Sequence, residues 1–401
     1  MPSESTGEQI SGKPLVGLTV LDLTSNIAGP SATLILADLG ARVIKVEPPG
    51  GDASRSWYPH TDNESAVFAA YNHGKQSVIV DAKSVSGREL LCRLVERADV
   101  FVESMRPGKA DALGLGWSQL SAINPRLIYS SINAFGSDGP MAGVAGFDAI
   151  IQAYSGLMDL TGYADGAPAR VGGSVIDVGT GMWAAVEILA ALLQCQQTGR
   201  GSLASTAMLG TATSFVMHHL ASVWMAGVTP HRQGTAQHNF APYQAIKASD
   251  GMVMLGVNTD AMFSRAVSAL GAAGLANDDR FRTNVGRMRH RDELIVALET
   301  ATATISRYDV VERLMGAGVP TSVVRSIDEL ADDEQLTVLG LWGTTESGTK
   351  IPRTPVAGPF DGRLVVPRPG QHTREVLNEL GVDEAVLHSL IEEGVVSADP
   401  N

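Results

Sequence analysis

A chain of 401 residues that is 44% hydrophobic and 18% charged holds enough apolar material for one large core and a second, smaller one, which excludes intrinsic disorder. Its net charge of −13 argues against general nucleic-acid binding, so an anionic ligand would need local cations to hold it. No window of eighteen uninterrupted apolar residues occurs, and the polar start MPSESTGEQISGK lacks an apolar signal core, so neither a membrane span nor secretion is expected.

Residues 1 to 14 read as a flexible tail. From residue 15 strands and helices alternate: LTVLDLT (18 to 24) as a strand, PSATLILADLGA (30 to 41) as a helix, RVIKVE (42 to 47) as a strand. A Gly/Pro loop follows, then SVIVD (77 to 81), the helix GRELLCRLVERA (87 to 98), DVFVES (99 to 104) and RLIYSSI (126 to 132). Short apolar strands between amphipathic helices predict a parallel sheet covered on both faces, with ligands beyond the carboxyl ends of the strands. Those ends carry the loops at Ser25 to Pro30, Glu47 to Arg55 and Asp81 to Lys83.

A helix over 181 to 196 and GSLASTAM (201 to 208) close a large domain spanning 15 to 208. A linker helix is expected over 209 to 228 and a smaller, mainly helical domain over 229 to 325. VPTSVVRSIDEL then resumes a strand–loop–helix pattern, and 326 to 401, with the helix HTREVLNELG, returns to the large domain. Cys92 and Cys195 each sit in a helical apolar pattern, as two buried, reduced thiols of a cytoplasmic protein would.

The stretch RVGGSVIDVGTGMWAAVEILAALL (170 to 193) reads as a strand–glycine–helix turn, and its GTGMWA fits the outline of a dinucleotide-binding turn. That fold requires an acidic residue about twenty positions on to hold the ribose. None lies between Glu187 and Asp250, so hydride transfer is not expected. Asp177, set among Val, Ile and Gly at the foot of the helix, suits a helix cap. Gly172, Gly173, Gly179 and Gly181 clear side chains around it, as an approaching substrate requires, so a covalent nucleophile is open beside the cap, and both roles can belong to one residue. The nine histidines form no metal pattern: His218 and His219 point to different faces, and His231 and His238 lie in a loop without nearby acids. Neither a G-x-S-x-G elbow nor a Walker A sequence is present. Arg55, Lys75, Lys83, Arg106 and Lys109 lie near predicted strand ends and together could grip a phosphate-bearing ligand.

The ordered blocks LDLTSNIAGPSATLILADLGARVIKVEPPGGDASR, YNHGKQSVIVDAK, ADVFVESMRPG, GFDAIIQAYSGLMDLTG, TGRGSLASTAM, APYQAIKASDG, DDRFRTNVGRMRHRDEL and GQHTREVLNELG resemble the class III CoA-transferases, the CaiB/BaiF family of carnitine and formyl-CoA transferases. The resemblance covers roughly residues 15 to 390. It implies an α/β fold with a Rossmann-like large domain and a smaller one, in a homodimer whose chains interlock. It also implies acyl-CoA and a carboxylic acid as substrates, with no permanently bound cofactor and no metal. Asp177 takes the place of the family's nucleophile, and Asp148 that of an acid near the active site. As an ordinary carboxylic acid Asp177 would be ionised at neutral pH without a partner base. By the same matching Asn26, Ile27 and Ala28 would line the thioester end of CoA, and Met208 would line the site. Val80, Asp81 and Lys83, with Ser104 and Met105, would surround the adenine and its phosphates.

The chain departs from the family in two places. An Arg common before the LGL that follows the RPG turn is Ala112 here, so the phosphate grip must come from elsewhere, with Arg106 or Lys109 as candidates. Only isolated glycines occur over 225 to 255, so formyl-CoA/oxalate specificity is not expected. The related 2-methylacyl-CoA racemases need a His where this chain has Phe147, between Gly146 and Asp148. That leaves CoA transfer as the expected activity, with racemisation or passive acyl-CoA binding as the alternatives.

Overall fold

The computed structural model describes residues 13–60, 64–358 and 362–398. They fall into two compact units: the first takes in the chain up to Leu157, Val171–Ala221 and the chain from Glu334 onward, the second Met158–Arg170 and Ser222–Asp333.

In chain order the first unit begins with β1 (Thr19–Leu23), α1 (Ala28–Asp38), β2 (Arg42–Glu47), α2 (Ala66–Asn72) and β3 (Gln76–Val80). It continues with α3 (Val85–Val95), β4 (Val100–Glu103), α4 (Lys109–Ala112), α5 (Trp117–Ile123), β5 (Ile128–Asn133) and α6 (Asp148–Tyr154). A short helix α7 (Leu157–Leu160) leads away, and the chain returns with α8 (Val175–Thr198), β6 (Ser202–Ala207), α9 (Met208–Phe215) and α10 (Met217–Ala226). The seven-stranded sheet has the order β10-β3-β2-β1-β4-β5-β6, all parallel except the edge strand β10 (Val396–Ser397), which runs against β3. The order reverses between β1 and β4, and open parallel sheets bind ligands beyond the strand ends at such a point.

Side chains alternate across this sheet as a period of two requires. Leu21, Ile44, Val78 and Phe101 face one layer with Leu90, Leu94, Leu120 and, from the C-terminal segment, Leu377 and Leu387. Val20, Val43, Val100 and Ile128 face the other, built from Ala28, Ala32 and Leu36 of α1 and Ala184, Ile188 and Ala191 of α8. α1 and α8 run side by side with their N-termini at the same end. Their contact is so close that a Cβ on Gly181 would stand 2.7 Å from Ser31 Cβ and 2.8 Å from the carbonyl oxygen of Ala28.

Three elements differ from the sequence reading. No strand precedes Asp177: residues 168–174 form a loop and α8 starts at Val175, so GTGMWA lies inside a helix rather than at a turn. α8 is also long and apolar enough to cross a membrane by length and composition, though it packs one face on α1 and carries Asp177 and Glu187. The single linker helix expected over 209 to 228 is two, α9 and α10, broken at Val216.

The second unit is a three-stranded antiparallel sheet, β7 (Tyr243–Ala248), β8 (Gly251–Gly256) and β9 (Thr321–Val323). Between β8 and β9 lie the helices α11 (Asp260–Ala269), α12 (Asn284–Arg289), α13 (Arg291–Thr302) and α14 (Arg307–Gly316). Ile246, Val253, Phe263, Leu294 and Val310 meet in its core. The β7–β8 hairpin is an addition to the mainly helical expectation, since its residues alternate too weakly to announce it.

Candidate active site

Asp177 is the third residue of α8, in the turn whose backbone N–H groups lack helical partners. The residue before the helix, Ser174, makes no capping bond. Capping comes from another helix: Oδ2 of Asp148, the first residue of α6, accepts from the backbone N–H groups of Ile176 at 2.7 Å and Asp177 at 3.2 Å. The cap expected of Asp177 therefore belongs to Asp148. Its other oxygen, Oδ1, accepts from Nε2 of Gln152 at 2.5 Å, and Oε1 of Gln152 accepts from the N–H of Val171 at 2.9 Å. Asp148 and Gln152 are both buried.

Released from capping, the Asp177 carboxylate accepts no hydrogen bond among the described residues. Burial, and then the charge of Asp148, push it up to about 7. This corrects the expectation of an ordinary, fully ionised aspartate. Loss of water around a carboxylate makes it costly to charge, and a second carboxylate adds to the cost. The same conditions make the ionised form a stronger nucleophile.

The β1–α1 loop lies at the same end, because Gly181, one helical turn beyond Asp177, is packed on the first turn of α1. Asn26 in that loop holds φ = 65°, the only non-glycine in the left-handed region among the described residues, a local strain that the surroundings must hold in place. A buried charge network fixes the chain on either side of it, at Thr24 and Pro30. Oδ1 of Asp22 accepts from the N–H and hydroxyl of Thr24, and its Oδ2 accepts from Thr33 Oγ1. Lys45 Nζ donates to the Thr24 carbonyl at 3.1 Å and pairs with Asp52 Oδ2 at 2.8 Å. Lys75 Nζ reaches Asp22 Oδ2 at 3.0 Å, the Pro30 carbonyl at 3.0 Å, Thr33 Oγ1 at 2.8 Å and Asn72 Oδ1 at 3.0 Å. Burial alone would raise the Asp22 carboxyl, but Lys75 and Lys45 hold it well below its usual range. Burial pushes Lys75 down to about 8 against the pull of Asp22.

Lys75 is thus 2% exposed and spent inside the fold; it is not available to a ligand. Arg55 is largely spent too: Nε and Nη2 clasp Glu47 at 2.7 and 2.6 Å, Nη1 donates to the Pro367 carbonyl, and the guanidinium lies 3.6 Å over Phe68. The other residues singled out at strand ends are placed as follows. Ile27 and Ala28 stand at the start of α1, Ala28 buried. Val80 is buried at the end of β3, Asp81 accepts from the N–H of Lys83, and the Lys83 side chain is exposed. Ser104 Oγ accepts from Ser25 N at 3.2 Å, joining the loops after β1 and β4 at the point of reversal. Met105 N–H donates to Glu103, while Arg106 and Lys109 are exposed, without an ion pair among the described residues. Met208 is buried with Ile151, Ile176 and Ala212, a core side chain beneath the first turn of α8.

The glycines around Asp177 divide by function. Gly172 and Gly173 are exposed with nothing near a would-be Cβ, and Gly173 has φ = 122°. Gly179 and Gly181 instead make room for Phe215 and Thr211 on one side and for α1 on the other. Two residues of the site escaped the sequence reading. Gln152 was legible only as the i+4 partner of Asp148. Tyr71 on α2 is raised by burial and then by the charge of Asp177, and no motif marks it. Among the described residues no three His, Cys, Asp or Glu side chains gather as metal ligands.

Comparison with known proteins points to one family. The family model "CoA-transferase family III" matches residues 15–373. The succinate–glutarate CoA-transferase of Agrobacterium fabrum is 36% identical over 92% of this chain and 96% of its own. The mouse succinyl-CoA:glutarate CoA-transferase is 37% identical over 96% and 91%. The crystal structure of a CaiB/BaiF family protein from Brucella suis superposes with a TM-score of 0.84 at 36% identity, covering 92% of this chain and all of that one.

Proposed function

The chain belongs to CoA-transferase family III, and from that premise we propose that it moves coenzyme A between carboxylic acids through covalent intermediates on Asp177. The observation that carries the proposal is a half-buried carboxylate without a hydrogen-bond partner, beside a second carboxylate, at the strand-end face of a parallel sheet. An Asp177 oxygen attacks the thioester carbonyl carbon, the C–S bond breaks, and CoA leaves as the thiolate, giving a mixed anhydride. The thiolate attacks the Asp177 acyl carbon and expels the donor acid, leaving an aspartyl-CoA thioester. An acceptor carboxylate attacks that carbonyl and displaces the thiolate, which then attacks the acceptor's acyl carbon and restores Asp177. Every covalent intermediate neutralises Asp177, so the repulsion from Asp148 is relieved as the first bond forms. Anhydride and thioester both hydrolyse readily, and the burial of Asp177 keeps water from them.

For the acids we propose short dicarboxylates, following the names of the Agrobacterium and mouse relatives. Lys83, Arg106 and Lys109, exposed at the strand-end face, are proposed to hold the CoA phosphates, with Asn26, Ile27 and Ala28 along the thioester arm. The strand order 3-2-1-4-5-6 within the sheet supports describing the large unit as Rossmann-like. A homodimer, interlocked as in the family, is supported by Met182, Trp183, Val186 and Leu193, which leave one face of α8 apolar and exposed. Two free thiols support a cytoplasmic location.

The test is to incubate the protein in D₂O with succinyl-CoA and other acyl-CoAs plus a panel of free acids, and to follow the thioesters by mass spectrometry. CoA on a new acid is the expected result. Deuterium at the α-carbon with no change of acid would replace the proposal with isomerisation and leave exposed Phe147 to be explained. Neither product, with CoA still bound, would make the protein a passive binder.

A further inference from the structure

Gln152 is fully buried on α6, one turn after Asp148, and both ends of its amide serve the segment that presents Asp177. Through Oε1 it holds Val171, where that segment begins; through Nε2 it holds Asp148, which in turn holds Ile176 and Asp177. Between these fixed ends lie Gly172 and Gly173, whose lack of side chains gives the backbone wide freedom. An apolar side chain could fill the same space but would leave the part-buried Val171 N–H and the buried Asp148 Oδ1 without their partner, a loss that grows with burial.

We propose that Gln152 is a positioning residue for CoA transfer, fixing the Asp177 carboxylate relative to Asp148 and to the glycine segment without touching the substrate. The inference rests on Asp177 being the nucleophile. A displacement of ~1 Å at a reacting centre can cost ~10²-fold in rate, and here three amides are aligned through a single side chain. Asp148 from α6 is the titratable group acting on Asp177, and Asp177 in turn raises Tyr71 from α2.

Wild type, Gln152→Leu and Gln152→Glu would be compared by CoA transfer against pH. In Gln152→Leu kcat is expected to fall about 10- to 100-fold while KM for the acyl-CoA stays within about threefold. In Gln152→Glu the acid limb of kcat/KM is expected to move to higher pH, because a third carboxylate joins the cluster. Folded variants with wild-type kcat and an unmoved acid limb would overturn the inference. Hydrogen exchange of the 171–178 peptide reads the same point without activity: exchange about tenfold or more faster than wild type is expected in Gln152→Leu, and unchanged exchange overturns the role. Should Gln152→Leu not fold, Gln152→Glu carries both readouts. Faster exchange with no CoA transfer by the wild type would sustain the positioning role and remove only the proposed reaction.

Discussion

Oδ2 of Asp148 stands 3.2 Å from the backbone nitrogen of Asp177, so one carboxylate both anchors the helix that carries the other and charges its surroundings. These two effects pull apart under substitution. Asp148→Asn keeps an oxygen for the N–H groups of Ile176 and Asp177 but removes the charge, together with the acceptor for Gln152 Nε2. The acid limb of kcat/KM, expected near 7 in the wild type, should move down toward the ordinary carboxylate range. Turnover above pH 8 should fall as well, because a less basic nucleophile attacks more slowly. Asp148→Ala loses the cap too and should cost about 1 kcal/mol or more of stability. Turnover and urea unfolding of both variants separate the effects; an unmoved acid limb in Asp148→Asn would show that Asp148 does not tune Asp177.

The raised pKa of Asp177 also makes a statement about stability. The native state keeps its proton up to about 7, whereas the unfolded chain releases it near 4. Between these values the native state binds more protons, so stability falls as pH rises and the loss is complete above the folded value. Asp177→Asn, which cannot ionise, should escape this loss. Its Tm should exceed that of the wild type by a margin that grows from pH 4 to pH 7 and then levels off, while transfer is abolished. Thermal unfolding at pH 4.5, 6 and 8 measures the margin, and a constant difference would contradict a strained, dehydrated Asp177.

The glycines of the same region predict opposite outcomes at two positions. At Gly181 an added Cβ meets the Ala28 carbonyl at 2.8 Å and the Ala32 nitrogen at 2.9 Å, backbone atoms that cannot step aside alone. Gly181→Ala should force α1 and α8 apart and cost about 1–3 kcal/mol. At Gly172 nothing lies within 4 Å, so Gly172→Ala should leave stability unchanged and affect only substrates that pass close to the chain there. Denaturant unfolding of the two variants, with KM for a short and a branched acyl-CoA, tests the division.

The parallel sheet was legible because β1 to β5 are short, apolar and β-branched, and buried strands leave that mark on a sequence. The position of Asp177 was legible too, through its carboxylate among glycines. What it does for the helix was not. Glycines read as punctuation, which puts the expected helix start at Gly181, whereas packing against α9 buries Gly179, packing against α1 buries Gly181, and both override the local preference. Nor could spacing show that the cap comes from Asp148, 29 residues earlier. Lys75 and Arg55 misled for a related reason. A basic residue near a strand end looks the same in sequence whether it faces solvent or a buried acid, and Asp22 and Glu47, which capture them, lie on strands whose alignment only the sheet fixes.

That distinction separates two sets of cations. Lys75 sits in a buried cluster, so Lys75→Met would take the direct ion-pair partner from a charged Asp22 in the core, at about 3–5 kcal/mol. Lost activity in that variant should follow lost folded protein, with KM for acyl-CoA in the folded fraction unchanged. Lys83 and Arg106 are exposed, so their replacement by Ala should leave unfolding within about 0.5 kcal/mol of wild type. If they meet the CoA phosphates, each should raise KM for acyl-CoA severalfold at low salt, and the difference should shrink as ionic strength rises and screens exposed charges. Steady-state transfer at low and high salt, alongside urea unfolding, compares the two sets directly. A salt-independent KM in Lys83→Ala and Arg106→Ala would move the phosphate grip elsewhere on the strand-end face, with Lys109 the next exposed cation to replace.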